Sequence, residues 1–180
     1  MSALSLAFLI PGRPVGKGRP RFSRRSGAAY TPQATATYEN WVTLCASQVM
    51  RGREQFTGPL AVEIVATFAP AASWSRKRRE AALSGEAWPT GRPDLDNIAK
   101  AVTDGCNGIV WRDDAQIVHV TAEKHYGAEE SVAVHVSELG ATTVRYVTHD
   151  RAEAAQADGW DVQPLDCHHG RHARLAVRGR

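Results

Sequence analysis

The chain has little cysteine and no long apolar run. Its three cysteines, Cys45, Cys106 and Cys167, are far apart and odd in number, so they form no disulfide framework and suit a reducing compartment. The apolar stretch at residues 4–10 lacks the length of a bilayer span and the charged start of a signal sequence. We therefore expect a soluble, cytoplasmic protein that does not bind membranes and whose cysteines serve packing.

Acidic residues are missing from the first 38 positions of a chain whose net charge is +3. Basic clusters lie in that stretch, at residues 76–79 and in the last ten residues. Clusters of this kind suit DNA phosphates, because binding there releases counterions. For each cluster the alternative is a solvated surface that binds no DNA. The predicted DNA contacts are Lys17, Arg19, Arg21, Arg24, Arg25, Arg76, Lys77 and Arg92.

Length and composition fit one ordinary domain with a small appendage, since 180 residues with 43% hydrophobic content can bury a single core. Hydrophobic periodicity predicts strands at 5–10, 60–68, 117–126 and 132–136, and helices at 35–50 and 97–107. A basic helix, capped by Ser73, is predicted to run to residue 83. Glycines and prolines after residue 10 predict a flexible basic arm.

The hydrophobic pattern that predicts strands and helices begins again beyond Gly140. It predicts a strand at 142–148, a helix at 151–157 and strands at 160–165 and 174–177. We therefore predict a main domain at residues 1–140 and a C-terminal extension of unknown role at 141–180. Zinc binding in the extension is a minor alternative, because soft and imidazole ligands cluster there without a second spaced pair. Those ligands are Cys167, His168, His169 and His172.

An acidic island interrupts this basic protein. Residues 94–114 carry a net charge of −3, so the rest of the chain sums to +6. A polyanion would be drawn to the basic surroundings and repelled by the island unless divalent cations reversed its sign. This contrast is typical of a metal-dependent nuclease. The carboxylates of the island are Asp94, Asp96, Asp104, Asp113 and Asp114.

The spacing of these residues indicates a shared site. Extended backbone around Pro93 would project Asp94 and Asp96 to one side, with Asp96 or Asn97 as the N-cap of the following helix. Lys100 then lies four residues after Asp96 and four before Asp104, on one helix face. A strand returning after Gly108 could bring Asp113 or Asp114 beside that helix.

Three or four aspartates suit Mg²⁺ or Mn²⁺, which prefer hard oxygen ligands and leave room for a phosphate oxygen. Such an ion generates hydroxide for an in-line attack that expels the 3′ oxygen, and Lys100 would stabilise the developing charge. Ordinary helix caps and surface ion pairs remain the structural alternative. A helix cap, however, uses residues of its own segment and does not need acidic residues from two separate segments.

At these positions the sequence resembles the RusA-type Holliday-junction resolvases, the endodeoxyribonuclease RusA family of bacteria and their prophages. The resemblance rests on the order and spacing of three motifs and covers roughly residues 8–126. The motifs are PVGKGRPR at 14–21 with Tyr30-Thr31-Pro32 and Tyr38-Glu39, RPDLDNIAKAVTDGCNG at 92–108, and WRDDAQI at 111–117.

The resemblance implies a Mg²⁺-dependent homodimer that cuts two opposed strands of a four-way DNA junction. The oxygen ligands would let Mn²⁺ substitute. It places the family's essential carboxylates on Asp94, Asp96 and Asp114 and its active-site lysine on Lys100, with Asp113 as a weaker fourth ligand. The resulting hypothesis is a structure-selective endonuclease that acts in recombination and repair. The expected fold is α+β, with helices packed against a mixed β-sheet and a small C-terminal α/β appendage.

Two alternatives remain open. The first is a branched-DNA-binding protein without cleavage, in which the carboxylates are structural. The second is a metal-dependent phosphoesterase acting on small nucleotides, although such a substrate does not need so broad a basic surface. Among the tryptophans, Trp41 is predicted to face the core and Trp111 to pack, while Trp74 is the best exposed candidate for base stacking.

Overall fold

The computed structural model describes residues 4–19, 21–22, 29–30, 32–140, 142–148, 156–157, 161–164 and 173–179. The chain divides into two units, Met1–Glu138 and Leu139–Arg180. None of the helices in the described ranges is long and apolar enough to cross a bilayer.

The first unit is built on a four-stranded sheet. Its elements are β1 (Ser5–Pro11), β2 (Arg21–Phe22), β3 (Ala29–Tyr30), α1 (Gln33–Val49), β4 (Leu60–Phe68), α2 (Arg76–Leu83), α3 (Leu95–Cys106), β5 (Ile117–Tyr126) and β6 (Ser131–Glu138). The sheet order is β1-β6-β4-β5. Strands β4 and β5 run parallel, whereas β6 is antiparallel to both β1 and β4. The prediction of an α+β fold with a mixed sheet is confirmed.

Alternating side chains give the sheet its buried face. In β1 every second residue is buried, namely Leu6, Phe8 and Ile10. Leu6 and Phe8 lie opposite Val136 and Val134 of β6, which are buried as well. Helices α1 and α3 contribute to the same core. The core-facing stripe predicted for α3, residues 98, 102 and 106, is confirmed, since all three side chains are inaccessible to solvent.

Helices α1 and α3 approach closely at Gly105. A Cβ atom added there would lie 2.6 Å from Val42 Cβ and 3.0 Å from the Glu39 carbonyl oxygen. Neither neighbour can rotate away, because one atom adjoins the backbone and the other belongs to it. Glycine at this position therefore sets the distance between α1 and α3, the helix that carries Asp96 and Asp104.

Gly105→Ala should destabilise the protein by about 1–3 kcal/mol through overpacking, despite the higher helix propensity of alanine. Urea denaturation would show this as a lower midpoint with an unchanged slope. Gly91→Ala is the matched control, because no heavy atom lies within 4 Å of its added Cβ. We expect the control to stay within about 1 kcal/mol of the parent. Equal stability of Gly105→Ala and the parent would contradict this account of the helix contact.

Several predicted details differ from the structure. Helix α1 begins at Gln33 and α2 is capped by Ser75, whose side chain accepts a hydrogen bond from the Arg78 N–H. Trp41 is 40% exposed, and its Nε1 donates to the Pro11 carbonyl at 2.9 Å. The prediction of a core-facing Trp41 is wrong, because the indole N–H finds its acceptor at the end of β1. Trp111 is fully buried, as predicted.

The cysteines in the described ranges are packing residues, as expected. Cys45 and Cys106 are free and buried. Burial raises the pKa of both thiols, that of Cys106 to about 12, which keeps Cys106 in the unreactive protonated form at neutral pH. Cys167 lies outside the described residues.

The second unit contains strands β7 (Thr142–Thr148), β8 (Asp161–Pro164) and β9 (Ala173–Gly179) in the order β7-β9-β8. Both pairings are antiparallel. Of the predicted helix at 151–157, residues 156 and 157 are described and are helical. The cysteine and histidines considered for zinc lie outside the described residues. The predicted division into a main domain at residues 1–140 and an extension of unknown role at 141–180 stays a prediction.

Candidate active site

The acidic island starts at the N-terminus of α3. Asp94 is the N-cap residue, with extended backbone angles of φ −70° and ψ 145°, and Asp96 lies in the first helical turn. The prediction of Asp96 or Asn97 as N-cap is therefore wrong. The extended conformation favoured around Pro93 ends at Asp94, so the two carboxylates do not share one side of an extended segment. Both residues are exposed, and neither makes a side-chain hydrogen bond or ion pair with another described residue.

Lys100 joins the two acidic segments. Its Nζ lies 2.8 Å from Asp104 Oδ1 on the same helix and 3.0 Å from Asp114 Oδ2. Hydrogen bonds to Asp104 and then Asp114 raise the pKa of Lys100 above its usual value. The ammonium group therefore stays protonated at neutral pH. Lys100 can supply positive charge to a reacting phosphate, but it cannot act as a general base.

The second acidic segment forms a tight turn next to the core. Trp111 anchors it in the interior, and Asp113 caps the 3-10 turn Asp114–Gln116 by accepting a hydrogen bond from the Ala115 N–H at 2.8 Å. This turn brings Asp114 to Lys100. The predicted return of one carboxylate to the helix is met by Asp114, whereas Asp113 uses an oxygen for capping.

Gln116 fixes the turn with both ends of its amide. Its Oε1 accepts from the Arg112 and Asp113 N–H groups at 2.9 and 3.1 Å. Its Nε2 donates to the carbonyls of Phe56 and Gly58 at 3.0 and 3.1 Å. Sequence reasoning gave Gln116 no role, because Phe56 and Gly58 lie 60 and 58 residues away along the chain.

The fit of these residues to a divalent cation is mixed. Exposed, unpaired carboxylates at Asp94 and Asp96 are suitable hard-oxygen donors for Mg²⁺. Asp114, by contrast, is paired with Lys100. Across the described part of the chain, no three acidic, histidine or cysteine side chains are grouped so that they could hold a metal ion. The oxygen donors of these aspartates therefore suit Mg²⁺. Their positions, however, do not form a three-carboxylate cluster, because Asp114 is turned towards Lys100.

The basic segment after β1 is tied to the helices. The Lys17 N–H donates to the Asn97 carbonyl at 2.8 Å, and the Gly18 N–H donates to Thr35 Oγ1 at 2.9 Å. A Cβ at Gly16 would lie 2.9 Å from Pro93 Cβ. Residues 13–19 have no regular structure, as predicted, but the expected flexible arm is wrong here, because its backbone is bonded to α1 and α3.

Lys17 also has carboxylate partners. Its Nζ forms ion pairs with Asp104 and, at 3.2 Å, with Glu39 of α1. These contacts, the hydrogen bond to Asp104 first, raise the pKa of Lys17. Burial alone would raise the pKa of Asp104, but hydrogen bonds from Lys100 and Lys17 outweigh it and lower that pKa. Asp104 is thus a shared anion between two lysines, a role the sequence analysis did not assign.

The family follows from a comparison with known proteins. Residues 11–137 match the family described as endodeoxyribonuclease RusA. The chain belongs to the RusA endodeoxyribonuclease family. That family implies a Holliday-junction resolvase, a hydrolase that acts on branched DNA. The matched range includes both acidic segments and Lys100, so the geometry above belongs to the RusA region of the chain.

The chain also has a bacterial relative of similar sequence. The chain is similar to the uncharacterized protein YqaN of Bacillus subtilis (strain 168), with 35% identity over 140 residues. The similarity covers 76% of this chain and 98% of YqaN. Most of the relative therefore corresponds to part of this RusA-type chain.

The other predicted DNA contacts differ in surroundings. Arg19, Lys77 and Arg92 are exposed, and Arg76 is exposed while paired with Glu80 at 3.1 Å. Arg21 lies in β2, and Arg24 and Arg25 lie outside the described residues. Exposed arginines and lysines can reach a DNA backbone without breaking a buried ion pair, whereas Lys17 would have to leave Asp104.

Asp104→Asn should slow DNA cleavage by about tenfold, because Lys100 loses the anion that holds it beside Asp114. Affinity for DNA should stay unchanged. Single-turnover cleavage at saturating enzyme, together with binding titrations, would separate the two effects. Glu80→Gln is the matched control, since it also removes one carboxylate from an (i, i+4) helix pair, and we expect it to cleave like the parent. An Asp104→Asn rate equal to that of Glu80→Gln would exclude the positioning role.

Proposed function

We propose that this RusA-family protein is a Mg²⁺-dependent endonuclease that resolves four-way DNA junctions by paired symmetric nicks. The observation that carries the proposal is the contact between Lys100 and Asp114, which joins the second acidic segment to the helix whose N-terminus carries Asp94 and Asp96. Carboxylates from two segments around one fixed cation suit phosphodiester chemistry better than isolated helix caps do.

Asp94, Asp96 and Asp114 would hold the metal, and the three side chains would have to draw together around it, because they are not grouped in the described structure. Mn²⁺ should substitute for Mg²⁺ because it accepts the same oxygen donors. When bound, the ion would supply an activated water and neutralise a nonbridging phosphate oxygen. Asp113, first considered as a fourth ligand, is better suited to shaping the turn, since its Oδ1 accepts from the Ala115 N–H.

The chain's own residues would carry the remaining chemistry. In hydrolysis the water oxygen bonds to phosphorus, the bond from phosphorus to the 3′ oxygen breaks, and the leaving oxygen takes a proton. Lys100 stays charged and would stabilise the negative charge that grows on the phosphate. Asp104 would keep Lys100 in place, and Lys17 would hold Asp104 from the other side. Lys17 would thus act within the site and not as a free DNA contact.

Binding of the junction would use the exposed basic residues Arg19, Arg76, Lys77 and Arg92, with Arg21, Arg24 and Arg25 as further candidates. A homodimer fits the substrate, because a four-way junction offers two equivalent phosphodiesters and a two-fold dimer presents two equivalent sites. A role in recombination and repair, including that of prophages, would follow from such resolution.

A titration of Mg²⁺ with a labelled four-way junction tests the proposal. We expect no cleavage in EDTA, symmetric nicks with Mg²⁺ or Mn²⁺, and much weaker cleavage of linear duplex. Junction binding without nicks at any metal concentration would favour a non-catalytic binding protein. Hydrolysis of small nucleotides without cleavage of the junction would favour the phosphoesterase.

A further inference from the structure

A cavity of about 360 Å³ lies in the first unit beside the segment that leads to Asp94. Its volume falls within the range of roughly 300–1,000 Å³ typical of small-molecule sites. Trp74, Pro89 and Tyr126 supply ring surfaces, and Arg13 and Arg92 supply positive charge. Flat rings next to guanidinium groups are the surroundings that a nucleotide requires, with the base against a ring and the phosphate near an arginine.

The aromatic wall of the cavity is held in place. The rings of Trp74 and Tyr126 are 5.4 Å apart in an edge-to-face contact at 70°. The Arg78 guanidinium lies 3.7 Å from the centre of the Trp74 ring and covers one of its faces. Trp74 is thus half-buried and ordered before any ligand arrives. Binding of a base to this wall would therefore cost little side-chain entropy.

The charge at the cavity is available to an anion. Arg92 is exposed and forms no ion pair with another described residue. Arg13 lies 3.9 Å from Glu130, with 70% of its side chain exposed. A long, exposed ion pair of this kind contributes little free energy, so a DNA phosphate can compete with Glu130 for Arg13.

Arg92 of the cavity and Asp94, a proposed metal ligand, lie on one segment that hydrogen bonds hold in place. Lys124 of β5 donates to the carbonyl oxygens of Gly91 and Pro93 at 2.8 and 3.2 Å. Arg92 lies between those two residues, and Asp94 follows them. Because the same lysine fixes both sides of Arg92, a nucleotide in the cavity would be positioned relative to the start of α3.

We propose that this cavity receives one unstacked nucleotide of the DNA strand near the scissile phosphate, with its base against Trp74 and a phosphate at Arg92. The inference rests on the proposed function and adds which part of the substrate the protein grips. Extrusion of a base is least costly where stacking is already interrupted, as at the centre of a branched junction. The cavity would thereby favour branched over linear DNA.

Abasic junctions test the proposal. The full-length Asp114→Asn protein would be titrated with four-way junctions that each lack one base, at successive positions around the crossover. We expect one position at which loss of the base weakens binding by about tenfold, the size of one base–aromatic contact. Trp74→Ala in the same background should weaken binding of the intact junction similarly and abolish the effect of the abasic site. Trp74→Phe should retain part of that effect.

Trp88→Ala is the matched control. Trp88 is 60% exposed and contacts His125 at a ring distance of 4.9 Å, but it does not line the cavity. It should keep the full abasic effect. If Trp74→Ala fails to fold, Arg92→Gln at the exposed rim serves as the test variant. Arg92→Gln should weaken binding of the intact junction, but it should not weaken binding of a junction that lacks the adjacent nucleotide.

The cavity proposal and the proposed function fail in different ways. An abasic effect that is missing at every position, or equally large in Trp74→Ala and the parent background, would overturn the cavity proposal. Cleavage of intact junctions by the wild-type protein with Mg²⁺ is measured in parallel. Its absence would overturn the proposed function, whereas normal cleavage without an abasic effect removes the cavity proposal alone.

Discussion

Asp114→Asn should reduce cleavage of four-way junctions by at least about 10³-fold while the junction still binds. The substitution removes a proposed metal ligand and the partner of Lys100 at 3.0 Å, and loss of several kcal/mol of transition-state stabilisation corresponds to this rate. Asn keeps the size of the side chain, so the fold should persist. The measurement is single-turnover cleavage with Mg²⁺, together with a binding titration in EDTA. Asp94→Asn and Asp96→Asn should behave alike.

The neighbouring residue provides the control for this experiment. Asp113→Asn makes the same chemical change one position earlier, but asparagine caps a helical turn as well as aspartate does. Since the role of Asp113 in the structure is to cap the turn, we expect a cleavage rate within about threefold of the parent. Equal losses at both positions, or a fully active Asp114→Asn protein, would contradict the assignment of Asp114 to the metal.

Lys100→Ala should lower the cleavage rate by about two orders of magnitude, the usual loss when one group that stabilises transition-state charge is removed. Affinity for the junction should be spared, because half of the Lys100 side chain is withdrawn from solvent between Asp104 and Asp114. Single-turnover rates at saturating enzyme, with dissociation constants measured separately, would show the effect on chemistry alone.

Lys77→Ala is the converse variant. Lys77 is exposed on α2 and is proposed to contact DNA phosphates, so its loss should weaken binding and reduce the salt dependence of affinity, while the rate at saturation stays the same. The two lysines thus separate positive charge in the site from positive charge that attracts DNA. Parent-like rates for Lys100→Ala would remove this lysine from the mechanism.

Local patterns in the sequence predicted the fold well. The alternation in residues 60–68 predicted β4 to the residue, and the apolar stripe at Ile98, Val102 and Cys106 predicted the buried face of α3. These features depend on the period of hydrophobic residues, which burial against one face enforces. The short β2 and β3 pair was missed, because two-residue strands carry no periodic signal.

The site was predicted less completely, since its contacts join distant parts of the chain. The spacing of Lys100 and Asp104 indicated their pair, but Lys17 lies 87 residues from Asp104 and Gln116 lies 60 from Phe56. The cap at Asp94 was misplaced because proline restricts backbone conformation without specifying where a helix begins. The predicted exposure of Trp41 and Trp74 is also wrong, because it depends on contacts with residues distant in the sequence. Trp74 is half-buried by Tyr126 and Arg78, whereas Trp88 is the more exposed.

The orientation of a single amide group governs the acidic turn. Gln116 presents its oxygen to two N–H groups and its nitrogen to two carbonyl groups. A glutamate of the same shape has no hydrogen-bond donor in its carboxylate and would set a negative charge against the oxygens of Phe56 and Gly58. Position 116 therefore discriminates between two nearly isosteric side chains, and deamidation there would be a lesion that frees Asp114 from its place without altering any catalytic group.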